Sequence, residues 1–235
     1  MDKSGHLAAY LNTNQNAIGK VIDLKADTDR VYRFDLTSAN ADLDAAAFSD
    51  TVKFSGWINS RIFESGCKYG IGGYMEHRTI YARSAHFNTD DEEPRRLHLG
   101  VDIWGAAGTA VYSPLGGKVH SFNDNDNFGD YGPTIILAHD LNGLILYSLY
   151  GHLSRKSLEG LGIGMPVKIN SKIGTFGNIE ENGRWPPHLH FQLMFDMEGN
   201  YGDYPGVCRF GEKEKYLQNV PDPQLILQFP KAVNE

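Results

Sequence analysis

The chain has 235 residues, 41% of them hydrophobic and 22% charged, which is enough apolar sequence to bury the core of one large domain. A formal charge of -7 removes the electrostatic reason to expect nucleic acid or an anionic membrane surface as a partner. No stretch approaches the ~20 consecutive apolar residues that a bilayer span requires, so no membrane insertion is expected. Cys67 and Cys208 are too few and too far apart for a disulfide scaffold or a Cys-x-x-Cys zinc ribbon, and two buried thiols are expected ahead of a pair. The start, Met1-Asp2-Lys3-Ser4-Gly5-His6, lacks a basic region followed by an apolar run. A cytoplasmic setting is the expectation, or an extracytoplasmic one if the chain has been trimmed. Nothing in the pattern specifies an oligomeric state.

In chain order, residues 18–24 and 31–36 alternate well enough to predict two strands. Residues 50–65 carry Val52, Phe54, Trp57, Ile58 and Ile62 at helical spacing, with Asp50 placed to cap and Gly66 to stop the helix. Residues 69–84 are glycine-rich and then strand-like through Tyr74, Ile80 and Tyr81. The acidic run at 88–94 reads as a solvated loop. From His98 onward the pattern changes to short strands between Gly/Asn turns: 109–112, 117–122, 134–138, 144–150, 167–168, 172–176 and 188–194. The fold class expected is mainly β (α+β overall), with an antiparallel sheet core. The divisions are 1–95 as an N-terminal α+β elaboration, 96–200 as the core and 201–235 as a C-terminal extension.

The chemistry concentrates in three places. In Pro186-Pro187-His188-Leu189-His190-Phe191-Gln192 an extended strand puts His188 and His190 on one face and Leu189 and Phe191 into a core. Two imidazoles side by side make sense around a metal ion. His98-Leu99-Gly100-Val101-Asp102 would hold its imidazole and carboxylate ~13 Å apart in a flat strand, so the chain must curve there, and Gly100 permits it. With His190 these two would form a His₂Asp zinc set with one open position. Taken alone, His98 and Asp102 read equally well as a loop hydrogen bond. His152, in Tyr150-Gly151-His152-Leu153-Ser154, alone reads as a structural group. Beside a metal, a non-ligand histidine orients water or donates to an oxyanion, worth about 10²- to 10⁴-fold in rate.

These motifs, with Gly108-Thr109-Ala110-Val111-Tyr112-Ser113-Pro114, Gly117-Lys118-Val119 and Lys172-Ile173-Gly174-Thr175-Phe176-Gly177, resemble the LytM/lysostaphin-type zinc metallopeptidases of family M23 over roughly residues 96–196. The resemblance implies a duplicated-hybrid-motif sheet that floors a narrow groove. It implies Zn²⁺ held by His98, Asp102 and His190, with His152 and His188 as the non-ligand catalytic pair. It also implies a peptide or peptidoglycan-like substrate, cleaved at an amide bond by a zinc-activated water.

Residues 178–187 replace the small-residue turn usual before the final motif. They bring Glu181, Arg184 and Trp185 near the groove, which implies a substrate preference different from cell-wall cross-bridges. Tyr131 reads first as a packed turn residue and second as a group that lines the groove and stabilises an oxyanion; on the second reading it joins Arg184 and Trp185 as an expected substrate contact. Glu76-His77-Arg78 is a weaker source of substrate charge contacts, His139 is expected to hydrogen-bond across the sheet, and His6 and His120 read as surface groups.

The alternative is a non-catalytic M23-like scaffold or binding module. Degenerate scaffolds would be expected to have lost ligands, and this set is complete. A lipoyl-type carrier would need a lysine at a hairpin tip. A cupin built on His188-x-His190 would need a Glu where Leu193 and Met194 stand.

Overall fold

Strand pairing explains the shape of this computed structural model, which describes residues 2–25, 27–43, 50–83, 87 and 93–235. The strands are β1 (Val31–Phe34), β2 (Tyr69–Gly72), β3 (Leu97–His98), β4 (Val101–Trp104), β5 (Ala110–Tyr112) and β6 (Gly117–Asn125). They continue with β7 (Gly132–Leu141), β8 (Leu144–Gly151), β9 (Pro166–Val167), β10 (Lys172–Thr175), β11 (His188–Met194) and β12 (Val207–Cys208). Eight form one sheet in the order β1-β2-β4-β11-β8-β7-β6-β9. Only β1 and β2 pair in parallel; every other neighbouring pair in that sheet is antiparallel. The small pairs β5/β10 and β3/β12 flank it. The mainly β, antiparallel class is what the short Gly/Asn-punctuated runs led one to expect.

The helices are α1 (Lys3–Thr13), α2 (Thr51–Glu64), α3 (Lys213–Asn219) and α4 (Gln224–Leu227). Among the described residues, no helix is long and apolar enough to cross a membrane. In α2 the Asp50 carboxylate accepts from the Val52 and Lys53 amides, and Gly66 takes a left-handed turn (φ 65°) just past the helix end. Phe54 and Ile58, one turn apart, are its buried stripe, and full burial of each contributes about 1.5–3 kcal/mol. Pattern reading missed α1, whose two buried anchors, Leu7 and Leu11, sit in an otherwise polar-to-neutral helix capped by Asp2.

Two strand expectations are corrected. Residues 18–24 follow a 3₁₀ turn at Gln15–Ala17 and form no strand. Val21 and Ile22 are buried, and the segment is tied down by single backbone bonds, Gly19 N to Pro114 O and Tyr112 N to Val21 O. In 69–84 only β2 is a strand; Ile80 and Tyr81 belong to a 3₁₀ turn, Thr79–Arg83. Their apolar side chains are satisfied by packing with Phe54, Trp104 and Trp185 rather than by a ladder. Residues 88–92 of the acidic loop lie outside the described residues. Cys208 is buried, Cys67 is half-buried, and both are free thiols.

The sheet has two unlike faces. Leu189, Phe191 and Leu193 of β11 join Val101, Ile103, Ile135, Leu137 and Tyr150 in the main core, where Leu7 and Leu11 of α1 also pack. The alternating residues His188, His190 and Gln192 point to the other side, and all three are buried. A second cluster, with Phe34, Leu36, Phe54 and Phe87 from the N-terminal part, packs on Trp104 and Trp185 at that side. The sheet order therefore sets a row of polar side chains between a core and an aromatic wall.

Candidate active site

β3 ends at His98, and Leu99-Gly100 interrupt the chain before β4 starts at Val101. That break brings positions four apart together, with His98 Nε2 3.2 Å from Asp102 Oδ1. Gly100 is required for a second reason, since a Cβ there would stand 2.6 Å from the His190 imidazole. His190 faces Asp102 across the β4/β11 ladder. Its Nδ1 lies 3.0 Å from Asp102 Oδ1 and 3.0 Å from His98 Nε2. All three side chains are buried.

Hydrogen bonding on the far side of each ring decides what the near side presents. His98 Nδ1 is 2.9 Å from the Gly73 carbonyl, which can only accept, so Nδ1 carries the proton and Nε2 a bare lone pair. Gln192 Nε2 donates to Pro205 O, which turns its Oε1 toward His190 Nε2 at 2.9 Å. His190 Nε2 therefore donates, and Nδ1 is bare. Two nitrogen lone pairs and a carboxylate oxygen thus converge on one buried point, a repulsive arrangement unless a cation lies among them. Burial, aided by the nearby Arg78 charge, holds His98 down to about 4. Burial alone would raise the Asp102 pKa, but the adjoining His98 ring and the Arg78 guanidinium prevail and keep it well below the usual carboxylate range. Two imidazoles and a carboxylate, each anchored from behind, are a donor set that suits Zn²⁺ with one position left open. Among the described residues, these three are the group of metal-capable side chains that comes together.

His152 and His188 sit beside this group. His152 follows Gly151 with a left-handed backbone (φ 62°), a strained state costing about 1–3 kcal/mol that a non-glycine residue keeps only where its surroundings enforce it. Here the Tyr131 carbonyl accepts from the His152 amide, and the Asn182 carbonyl accepts from Nδ1 at 2.9 Å. His188 Nδ1 donates to the Pro186 carbonyl at 2.7 Å, and the ring stacks on its cross-strand partner Trp104. Both Nε2 atoms are left as lone pairs, with the ring centroids 4.1 Å apart. Burial pushes His188 down to about 4, and burial with the neighbouring His188 and His190 pushes His152 well below its ordinary value. The pair is neutral at pH 7 and shares space for one added proton, not two.

A cavity of about 180 Å³ opens on these groups. Asp102, His152, His188, His190, Tyr131 and Trp185 line it, along with Leu36, Phe54, Ile80 and Phe87. The Tyr131 hydroxyl lies 3.3 Å from His190 Nε2, and its ring packs beside His152. Arg184 reaches Glu180 on the surface and does not line the cavity. Its loop is clasped by the buried Asn182, whose side chain bonds both the amide and carbonyl of Trp185. His139 bonds Ser148 across β7 and β8 as expected, His6 is exposed and His120 is half-buried. His77 is exposed, whereas Arg78 is buried, pairs with Asp102 and lines the cavity. Sequence reading missed Asn182, the role of Gln192 and the pairing of Arg78 with Asp102. Gln192 alone carried a signal, two residues beyond His190 on the same strand face.

Acid should unfold the metal-free protein early. His139 and His188 both stand at about 4 in the fold against an ordinary 6.5. Between those values the unfolded chain binds protons that the folded chain does not, so stability is full above pH 6.5 and falls as the pH drops toward 4. Each residue contributes a loss of about 3 kcal/mol across that window. Urea unfolding of the metal-free protein at pH 7.5, 6 and 5 checks this; a constant midpoint over that range would contradict it.

Residues 96–201 match the family model described as peptidase family M23. No curated protein sequence matches the chain. Among solved structures, the chain is similar to a zinc-containing peptidase from Vibrio cholerae, with 28% identity over 42% of this chain and 27% of that one, at a TM-score of 0.34. It thus spans about a quarter of that peptidase. It is also similar to the catalytic domain of the antimicrobial peptidase lysostaphin from Staphylococcus simulans, with 21% identity over 69% of this chain and 96% of that one, at a TM-score of 0.40. A third similarity is to Helicobacter pylori Csd3, with 24% identity over 53% and 32% of the two chains, at a TM-score of 0.34.

Proposed function

We propose, from the premise that residues 96–201 are a domain of peptidase family M23, that this chain is a zinc-dependent hydrolase that cleaves an amide bond in a peptide. The observation that carries the reading is the convergence of His98 Nε2, Asp102 Oδ1 and His190 Nδ1 as three bare acceptors on one buried point. These residues would hold the ion, which when bound supplies an acidified water and polarises a carbonyl.

The rest of the chemistry belongs to the chain. The His152 and His188 Nε2 lone pairs accept a proton from the attacking water and return it to the leaving amine. Their neutrality at pH 7 suits the accepting half of that task. Their Nδ1 protons, locked on Asn182 O and Pro186 O, fix which nitrogen does the work. The Tyr131 hydroxyl is a donor within reach of the same space and steadies developing negative charge. Trp185 and the apolar residues behind it exclude water and bear on the substrate side chain beside the scissile bond.

The substrate class is a peptide, with peptidoglycan-like stems and cross-bridges among the members to be tried. The test is digestion of a defined peptide library and of isolated peptidoglycan by zinc-loaded protein. Cleavage that stops with a chelator and returns with Zn²⁺ is expected. A zinc-loaded protein that leaves both substrates intact would sink the reading.

A further inference from the structure

Residue 78 lies outside the family-matched segment, yet its side chain touches one of the three converging groups. Segment 75–78 runs along β3 through Met75 N to His98 O, His98 N to Glu76 O and Arg78 N to Arg96 O. That pairing delivers the Arg78 guanidinium to the back of Asp102, where it is 1% exposed. Its Nη1 donates to Asp102 Oδ2 at 2.5 Å and to the Tyr81 hydroxyl at 3.2 Å, and its Nε donates to Glu76 Oε2 at 2.6 Å. Glu76 is itself held by the Leu36 amide on its other oxygen. Room for the group exists because position 72 is glycine: a Cβ there would stand 2.6 Å from Arg78 Nη2.

Burying a full cation costs several kcal/mol unless it is paired; here Glu76 and Asp102 pair it, and its place on the back of Asp102 calls for a reason. We infer that Arg78 is a positioning residue for the metal group: it occupies Asp102 Oδ2, so that Oδ1 alone faces His98 and His190, and it ties that group to the N-terminal part of the chain. This inference rests on the metal reading of the site. A free carboxylate rotates about its terminal torsion and can present either oxygen or both. With Oδ2 fixed on Nη1, rotation is blocked and the offered atom is defined. The planar fork matters as well as the charge, because Nε on Glu76 and Nη1 on Asp102 hold two carboxylates in one relation, which a lysine ammonium cannot reproduce. Glu76 and Asp102 together outweigh the guanidinium, so the cluster keeps a net negative charge toward a divalent cation.

The experiment compares wild type with Arg78→Lys, Arg78→Met and Glu76→Gln in the full chain. Zinc affinity is read by competition with a chromogenic chelator, and the visible spectrum is read after loading with Co²⁺. Folding of each variant is checked by near-UV circular dichroism. Loss of an outer partner of a metal ligand weakens binding about 10- to 100-fold, and that is the loss expected for both Arg78 variants. Their cobalt bands should also shift, which a merely structural role would not produce. Glu76→Gln, which keeps the cation but frees it to swing, should fall between them and wild type. It carries the test if Arg78→Met does not fold. Wild-type affinity and an unshifted cobalt spectrum in the folded variants would overturn the inference and leave the hydrolase reading standing. A wild-type chain that takes up neither metal would overturn both.

Discussion

His98→Ala and His190→Ala are each expected to remove bound zinc from the protein, from about one ion per chain to a small fraction of that. A three-ligand site loses a third of its donor atoms in either variant, and the two remaining groups return to an arrangement with no cation to hold them. The loss should therefore exceed the 10- to 100-fold that follows from disturbing an outer partner. In the metal-free wild type the same repulsion among His98 Nε2, His190 Nδ1 and Asp102 Oδ1 remains, so zinc should raise the melting temperature of wild type and not of the variants. Elemental analysis of purified protein, with His77→Ala as an exposed control, reads the outcome. Variants that keep wild-type zinc would contradict the assignment of ligands.

His152→Ala is expected to separate rate from metal. Its imidazole is 4.1 Å from that of His188 by ring centroid and is not one of the three converging groups. The variant should keep its zinc while kcat falls about 10²- to 10⁴-fold. KM should move little, because the lost interaction acts on the transition state rather than on binding. His188→Ala should behave alike, and the double variant should be little worse than either single one, as for groups that pass one proton between them. Steady-state cleavage of whichever library peptide is turned over, with zinc measured on the same samples, decides it. An unchanged rate, or a rate that falls only as far as zinc occupancy falls, would remove His152 from the chemistry.

How much of this was legible in the sequence varied with the physical range of the signal. The meeting of His188 and His190 on one face followed from the two-residue period of a strand, and the core side of the same strand followed with it. The bend between His98 and Asp102 followed from the length of an extended chain set against a break at glycine. The helix at α2 followed from spacing and an Asp cap, both local. Residues 18–24 and the turn at Thr79–Arg83 misled because apolar alternation reports burial, not the partner that supplies it. Arg78 was beyond reach for a related reason. In Glu76-His77-Arg78 the arginine reads as a charge that could meet a substrate, and only pairing of 75–78 with β3 sets it against Asp102, 24 residues away. Asn182 reads as loop punctuation, while in the fold its backbone carbonyl orients His152 and its side chain clasps Trp185.

The most direct test of the account is anomalous diffraction at the zinc edge from crystals of protein purified without added chelator. One strong peak, within bonding distance of His98 Nε2, Asp102 Oδ1 and His190 Nδ1, and with Asp102 Oδ2 still on Arg78, is the result predicted. A peak elsewhere, or none at that point in protein soaked with Zn²⁺ at neutral pH, would contradict it.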